Sequence, residues 1–421
     1  MATPTSLLIS IISESASAIS LSIWATSHLD EAITTQQRAV SLTPDGHPDK
    51  PQCLINLGTS FRNRFERLGD RVDLDEAITA QQEAVHLTPD GHPHKLIYLN
   101  NLGISLLARF EFQPDDATFA RAVSTYAQSA KSSSGPPSQR FSAANQWASL
   151  CFSVHSQETL DAYSTLFTLL PHVVWLGRTV DQRHKDVPRT GNAVADAVNA
   201  AIHFGRSDLA LEWVEQGRSI VWGQILRLRT PLDELRQHHP NEANELERNS
   251  RALDASGVPH PGNLLQSTDG ASQSLEEVAQ AHRRLAEEYD FILTRIRSLP
   301  GYSEFLQPTK FTSLCDTATS GPVVVVNSHE TRCDALILLP CTSQVSHVSL
   351  PTLRVSAARE MQLQLTGLIR GADIIQRPCG PYDETGTGLS DILKFLWSHV
   401  VQPILSYLGV SYFLCTLAFC D

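Results

Sequence analysis

Apolar residues recur at helical spacing through the first third of the chain. Leu57, Phe61 and Phe65 lie four residues apart, which places them on one face of an amphipathic helix. The same stripe returns 45 residues later as Leu102, Leu106 and Phe110. The spacing predicts two helices that bury these stripes in a core.

A second apolar face predicts the helix that pairs with each of these. Its members lie on one side of a helix that follows Asp73: Leu74, Ala77, Ile78 and Val85. Asp73 is expected to cap this helix, and Glu76 to complete a capping box. The turn Thr88-Pro89-Asp90-Gly91 ends it, because proline cannot continue the helical hydrogen bonding. Thr43-Pro44-Asp45-Gly46 repeats that stop.

The two helical patterns belong to a tandem repeat. Residues 29–73 align without a gap on residues 74–118, with 27 identities in 45 positions. A weaker third copy begins in the same frame at Phe119, Ala122 and Val123. A fixed period of this length is typical of a stacked solenoid, in which each unit buries its apolar face against its neighbours.

Small residues at fixed positions give the repeat a family resemblance. Leu57-Gly58 and Leu102-Gly103 in the first helix, followed by Ala77, Ala84 and Pro89 in the second, resemble the tetratricopeptide (TPR) signature. The period of 45 is longer than the usual repeat of about 34 residues, and the surplus lies in the loops. The resemblance implies a helical superhelix whose first helices line a groove for extended peptides.

A polar stripe beside the apolar one gives the candidate groove residues. They are Asn56, Ser60 and Arg64 in one copy and Asn101, Ser105 and Arg109 in the next. The resemblance implies that they contact a peptide or protein ligand. Structural roles are the alternative: the asparagines could bond the preceding loop between repeats, and the arginines could stabilise a helix carboxyl end.

The chain divides into four predicted parts. An amino-terminal segment at 1–27 has no assigned structure, the repeats occupy 28–135, further TPR-like or capping helices and a charged helical hairpin occupy 136–300, and a second domain covers 310–421. In this last part, short apolar runs predict buried strands, and helical periodicity predicts two helices. The predicted strands lie at 322–326, 335–339 and 345–350, and the helices at 354–371 and 387–407.

The second half of the chain also resembles a known family. The segment 211–226, LEWVEQGRSIVWGQIL, and Arg332-Cys333-Asp334-Ala335 between the first two strands resemble fungal proteins that join TPR repeats to a CHAT domain, and the match runs from about 28 to 410. CHAT domains are similar to caspases and separase, which are clan CD cysteine peptidases. The implied fold class is an all-α TPR-like superhelix followed by a partial α/β caspase-like domain.

The resemblance implies ancestry without activity for this chain. The HxxCHG-like and SAC-like sequences that supply the catalytic His and Cys of that family do not occur in the 421 residues. We therefore expect no catalytic residue and a scaffold or adaptor that binds a protein or peptide partner. The alternative is that the chain is a fragment of a TPR-regulated caspase-like cysteine peptidase.

The other reactive or ligating residues of the chain predict no catalytic or metal site. His329, Cys333, Cys341 and His347 lack the close paired spacing of structural zinc ligands, so we expect no metal site and a buried Cys333. His47 and His92 recur within the turns, which indicates a turn-stabilising role. The loop 386–388 has no lysine or third glycine for a phosphate, so no cofactor is expected.

Composition narrows the function classes further. The net charge of −12 disfavours nucleic acid and anionic membranes as partners. The eight cysteines form no CxxC pair, which favours a reducing cytoplasm. No stretch approaches the length of apolar sequence that a membrane helix needs, and no signal peptide is expected. The sequence leaves the oligomeric state open.

Overall fold

The computed structural model describes residues 28–132, 134–174, 180–218, 220–257, 275–340, 342–374 and 387–409. These residues are mostly helical, and they contain a three-stranded antiparallel sheet. The chain forms two compact units, Met1–Val173 and Val174–Asp421. The predicted segment 1–27 and the end of the chain after 409 lie outside the described residues.

The predicted domain boundaries near 135 and 310 fall inside these two units rather than between them. The first unit takes in two helices beyond the predicted repeats, and the second joins helices to the sheet. Within the described ranges, no helix is both long enough and apolar enough to cross a bilayer.

Unit 1 is helical throughout the part that the structure describes. Its helices are α1 (28–42), α2 (Lys50–Leu68), α3 (Arg71–Leu87), α4 (Lys95–Phe112), α5 (Asp116–Lys131), α6 (Pro137–Ser153) and α7 (Glu158–Val173). From α2 onwards each helix packs against the next, and α2 also contacts α4, α4 contacts α6 and α5 contacts α7. This pattern is that of a stacked array of helical hairpins. The helices α2, α4 and α6 are termed the A helices, and α1, α3, α5 and α7 the B helices.

The predicted apolar stripes form the core of this array. In α2 and α4 the first two members of the predicted stripe are buried and the third is half-buried. Gly58 and Gly103 lie where an A helix crosses the following B helix. A Cβ at Gly103 would lie 2.8 Å from the ring of Tyr126, and one at Gly58 would lie 2.9 Å from the carbonyl oxygen of Ala77. Small residues are required there because the helices touch.

The repeat extends further than its sequence identity does. Trp147 and Ala148 on α6 lie one period after Leu102-Gly103, and both are fully buried. The third copy predicted from Phe119 onwards therefore includes a complete A helix. Three A helices in one frame stack in unit 1.

The predicted amino-terminal cap of α3 is wrong by three residues. Asp70 caps this helix, because its extended backbone places the carboxylate where it accepts a hydrogen bond from the N–H two residues on. Asp115 caps α5 one period later, where its carboxylate accepts a hydrogen bond from the N–H three residues on. Asp73 already lies in the first turn, and its carboxylate binds Arg64. The expected capping box of Asp73 with Glu76 is therefore replaced by the Asp70 cap.

A basic residue ties each A helix to the end of the B helix before it. The ammonium group of Lys50 donates hydrogen bonds to the carbonyl oxygens of Val40 and Thr43, at 3.0 and 2.9 Å. Lys95 makes the same two bonds one period later, at 2.6 and 2.5 Å. In the third repeat Arg140 donates to the equivalent carbonyl at 3.2 Å. The last carbonyls of a helix have no partner within it, so these cations satisfy them and complement the helix dipole.

Replacing Lys95 by methionine is expected to lower the free energy of unfolding by about 1 to 2 kcal/mol, because it removes two charge-assisted hydrogen bonds but keeps the apolar stem. Urea unfolding followed by circular dichroism measures the loss. Lys394→Met is the matched control, since that side chain is 76% exposed, and it should cost less than about 0.5 kcal/mol. Equal losses of unfolding free energy in the two variants would contradict the stabilising role of Lys95 at the helix end.

His47 and His92 stabilise the turns, as predicted. The Nδ1 atom of each ring accepts a hydrogen bond at 3.2 Å from the backbone N–H two residues further on. That bond holds the chain as it turns into the following A helix. The recurrence of histidine in the repeat therefore has a local structural cause.

Unit 2 combines helices with the sheet. Its described helices are α8 (Val180–His203), α9 (Ser207–Arg218), α10 (Ile220–Leu228), α11 (Asp233–His238), α12 (Pro240–Gly257), α13 (Leu275–Arg297), α14 (Phe311–Cys315), α15 (Val355–Ile374), α16 (Thr387–Leu396) and α17 (Gln402–Tyr407). A 3₁₀ turn follows α14 at Asp316–Ala318, and a π-helical turn precedes α17 at Trp397–Val401. The helices α12 and α13 pack on each other, which confirms the predicted helical hairpin.

The sheet has three strands, β1 (Val323–Ser328), β2 (Cys333–Leu338) and β3 (Val345–Ser349), in the order β1-β2-β3. Both pairings are antiparallel. The strands lie where the sequence predicts them, but only β2 is buried throughout, because it is the central strand. The expectation of a buried β1 is wrong, since Val324 and Val326 are 38% and 41% exposed on this edge strand.

Candidate peptide-binding face

Two of the six predicted groove residues lie in the core of unit 1. Ser60 is 9% exposed and Ser105 is fully buried. Neither residue is placed to contact a ligand, so this part of the predicted groove is corrected.

Arg64 is held by two aspartates of unit 1. Its Nε and Nη2 atoms donate to the two carboxylate oxygens of Asp73 at 2.8 and 2.5 Å, and Nη1 donates to Asp30 at 2.6 Å. The hydrogen bond to Asp73 raises the pKa of the guanidinium group above its usual value. Arg64 therefore ties α2 to both α1 and α3, which is a structural role.

Arg109 forms the equivalent of one of these two ion pairs in the next repeat. Its Nε atom donates to Asp75 at 3.0 Å, and Asp75 lies one period after Asp30. Arg109 also donates to the carbonyl oxygen of Gln113 at 3.4 Å, at the end of α4, where the alternative structural reading places it. The arginine recurs because it links each A helix to the B helix before it.

The two asparagines are the predicted groove residues that are neither buried nor held in an ion pair. Asn56 is exposed on α2, and its Oδ1 atom accepts a hydrogen bond from Gln52 at 2.9 Å. Asn101 is half-buried at the equivalent position of α4. Tyr98 donates its hydroxyl proton to the side-chain oxygen of Gln52 at 3.1 Å, which links α4 to α2.

The asparagines belong to a larger exposed stripe that every A helix presents in the same phase. Its positions are Gln52, Asn56, Thr59 and Asn63 on α2; Ile97, Asn101, Ile104 and Ala108 on α4; and Ser142, Gln146, Ser149 and Ser153 on α6. None of the twelve is buried and none carries a charge. We refer to these twelve positions as the uncharged face. Because α4 packs against both α2 and α6, the three stripes adjoin.

The charged residues nearest to the uncharged face lie at its end or beside it. The next position on the same side of the helix, three residues further on, is Glu66 on α2 and Glu111 on α4. Both are exposed. Arg62 lies beside the stripe on α2, with its Nε atom 3.3 Å from the Glu66 carboxylate, and only 14% of its side chain is exposed. The surface between the helix ends is therefore amide, hydroxyl and aliphatic.

The sequence interpretation named only Asn56 and Asn101 of these twelve positions, and Ile97 and Ile104 are the two large apolar members that it missed. They are 37% and 38% exposed, on the side of α4 away from the buried apolar stripe. Their spacing of seven residues keeps them on one side of the helix. That spacing, outside the stripe of Leu102 and Leu106, is the sequence signal that could have identified them.

A concave surface separate from the uncharged face follows the B helix α5 in unit 1. It is a groove of about 850 Å³ whose lining includes Ser124, Lys131 and Glu158. The ammonium group of Lys131 lies 4.6 Å from the centre of the Trp147 ring, and the Trp147 indole N–H donates to Glu158 at 3.1 Å. The groove has charges of both signs, and its cationic group already has an aromatic partner.

The Cys and His residues near the sheet do not form a nucleophile and base. Cys333 is 2% exposed, and burial raises the pKa of its thiol. The thiol donates to the backbone carbonyl oxygen of His329 at 3.8 Å. The His329 ring instead bonds Asp196 through Nε2 at 2.7 Å. Cys333 is the buried strand cysteine that the sequence predicts, and an inert thiol is expected from this setting.

Asp334 is the buried charge of the sheet. Both of its carboxylate oxygens accept hydrogen bonds from Arg332, at 2.7 and 2.6 Å, and one also bonds the Nε2 atom of His347 at 2.6 Å. Burial alone raises the pKa of Asp334, but the hydrogen bonds from His347 and Arg332 outweigh it and lower the pKa below the usual value. The cluster links β2 to β3, and the buried carboxylate finds its hydrogen-bond partners within it.

No group of three or more metal-ligating side chains occurs among the residues with described positions. Cys341, which the sequence interpretation considered with His347, lies outside them, as does Gly386 of the loop compared with a phosphate-binding turn.

A scan against protein-family models and a search of curated proteins found no match to the chain.

Proposed function

We propose that the chain is a scaffold or adaptor in which unit 1, a TPR-like array, binds a protein partner through a peptide segment laid across the uncharged face. The observation that carries the proposal is the common phase of the exposed stripes on α2, α4 and α6. The repeated amide and hydroxyl groups can hydrogen-bond the backbone of an extended peptide without reading each of its side chains.

The dimensions of the face fit such a ligand. Adjacent helices lie about 8 to 10 Å apart, so the three A helices span about 20 Å. An extended peptide covers that distance with about six residues. The ligand would therefore be a short linear segment of the partner.

The same proposal treats the part after 310 as the amino-terminal piece of a CHAT-like α/β domain. The three strands and the helices that follow them are compatible with a small α/β part. The buried Cys333, with its raised thiol pKa, does not support the cysteine peptidase alternative within the described residues. Binding is therefore the proposed activity.

Two matched serine-to-tryptophan changes test where a peptide binds. Ser149 lies on the uncharged face and Ser124 in the groove along α5, and both are exposed. Peptides are selected from a random display library against the full chain, and their affinities are then measured by fluorescence anisotropy. Ser149→Trp is expected to weaken binding by at least about tenfold, because an indole covers the surface that the peptide crosses. Ser124→Trp should change it by less than about twofold.

The reverse pattern would place the peptide in the groove along α5 and reject the proposal. Equal affinities for all three proteins would show that neither surface binds the selected peptides, which rejects it too. Circular dichroism of each variant serves as the control for folding.

A further inference from the structure

The chemistry of the uncharged face identifies the class of partner segment. We infer that it binds a peptide stretch without charged residues that places an aliphatic side chain against Ile97 and Ile104. This inference rests on the proposed function and narrows its ligand.

The first step is the absence of charge from all twelve positions. The chain as a whole carries 33 Lys and Arg and 45 Asp and Glu, yet none occurs on the described uncharged face. A charged ligand side chain set against it would lose part of its hydration without gaining an opposite charge. Neutral polar side chains lose less, because amides and hydroxyls offer them both donors and acceptors.

The second step is the position of the two isoleucines. Ile97 and Ile104 lie on α4, the central A helix, whereas the flanking stripes of α2 and α6 are entirely polar. Their exposed side chains lie two helical turns apart with Asn101 between them, and together they are the apolar patch of the face. An aliphatic ligand side chain that covers the patch removes apolar surface from water on both partners.

The third step is the effect of salt that follows from this chemistry. Ionic attraction to a ligand weakens as salt screens it, whereas apolar contacts and neutral hydrogen bonds are nearly insensitive. Binding to the uncharged face should therefore not depend on ionic strength. The carboxylates of Glu66 and Glu111 lie beyond the last positions of the face, so a ligand confined to it does not require them.

Two display libraries test the inference on the full chain. One encodes only uncharged residues, and the other also encodes Asp, Glu, Lys and Arg. The uncharged library is expected to give the peptides that Ser149→Trp displaces, with an aliphatic residue common to them. Their affinity should change by less than about twofold between about 50 and 500 mM NaCl.

A pair of lysine substitutions locates the aliphatic contact. Ile104→Lys on the face should weaken binding by at least about tenfold, because it adds a charge and removes the apolar patch. Val72→Lys is the matched control: Val72 is 62% exposed on α3, a B helix outside the face, and the change should have no effect on affinity.

The outcomes separate the inference from the function on which it rests. If displaced peptides come mainly from the charged library, or lose about tenfold in affinity at high salt, the face binds peptides but the inferred ligand class is wrong. If Ile104→Lys and Val72→Lys act alike, the aliphatic contact is wrong. If Ser149→Trp displaces no peptide from either library, both the function and the inference are rejected.

Discussion

Replacing Arg64 by alanine is expected to lower the free energy of unfolding by about 2 to 3 kcal/mol. The change leaves the Asp73 carboxylate, whose side chain is 4% exposed, without its bidentate partner, and it also frees Asp30. Breaking a buried ion pair by removing one partner costs about 3 to 5 kcal/mol. The lower figure applies here because the Arg64 side chain is 24% exposed, which allows water to replace part of the interaction.

Arg109→Ala provides an internal control for this prediction. Asp73 is replaced by threonine at the equivalent position of the next repeat, 118. Removing Arg109 therefore leaves no buried carboxylate without its partner. Its partner Asp75 is 48% exposed and keeps a second cation, Arg71, at 3.2 Å. We expect a loss of about 1 kcal/mol or less. Urea unfolding followed by circular dichroism compares the two variants, and equal losses would contradict the structural role assigned to Arg64.

Asp334→Asn is expected to destabilise unit 2 by about 3 kcal/mol. The carboxylate is fully buried and accepts hydrogen bonds from both Arg332 and His347, so an amide removes the counter-charge of the partly buried Arg332 guanidinium. Thermal unfolding measured by calorimetry gives the loss. Asp316→Asn is the matched control in the same unit, because that side chain is exposed, and it should change stability by less than about 0.5 kcal/mol.

The same carboxylate predicts a dependence of stability on acid. Its pKa in the folded state is lowered below the unfolded value of about 3.9. The stabilisation is therefore complete above about pH 4 and is lost as the pH falls through the folded pKa. Asp334→Asn should remove this part of the acid sensitivity. An unchanged acid sensitivity in the variant would show that the Asp334 ion cluster is not its source.

The repeat itself was predictable because its causes are local in sequence. Helical spacing, the prolines of the turns and the glycines at 58 and 103 recur at 45 residues, and each reports the geometry of a single hairpin. The same reasoning explains why β1 was expected to be buried. A run of valines identifies a strand, but whether that strand is central or at an edge depends on packing partners elsewhere in the chain.

The candidate face was only partly predictable for a geometrical reason. The chosen residues Asn56, Ser60 and Arg64 are spaced by four, and each step of four advances about 40° around a helix with 3.6 residues per turn. The stripe therefore winds from solvent at Asn56 into the core at Ser60 and onto the neighbouring helices at Arg64. Positions spaced alternately by three and four residues would have stayed on the exposed side of the helix.

The pairing of Arg64 was also beyond sequence reasoning. Asp30 lies 34 residues before Arg64, and Asp73 was assigned to a helix cap. Only the stacking of α1, α2 and α3 brings the three charges together. An arginine that forms an ion pair between repeats and an arginine that binds a ligand both recur at one position of the repeat. The sequence alone therefore does not distinguish the two roles.

The most direct test of the account is the affinity of a selected peptide for the double variant Asn56→Ala plus Asn101→Ala, measured by calorimetric titration of the full chain. Each amide is expected to contribute a hydrogen bond of about 1 kcal/mol, so the account predicts binding about tenfold weaker or more, with circular dichroism unchanged. An unchanged affinity in a folded double variant would contradict the claim that the uncharged face binds the peptide.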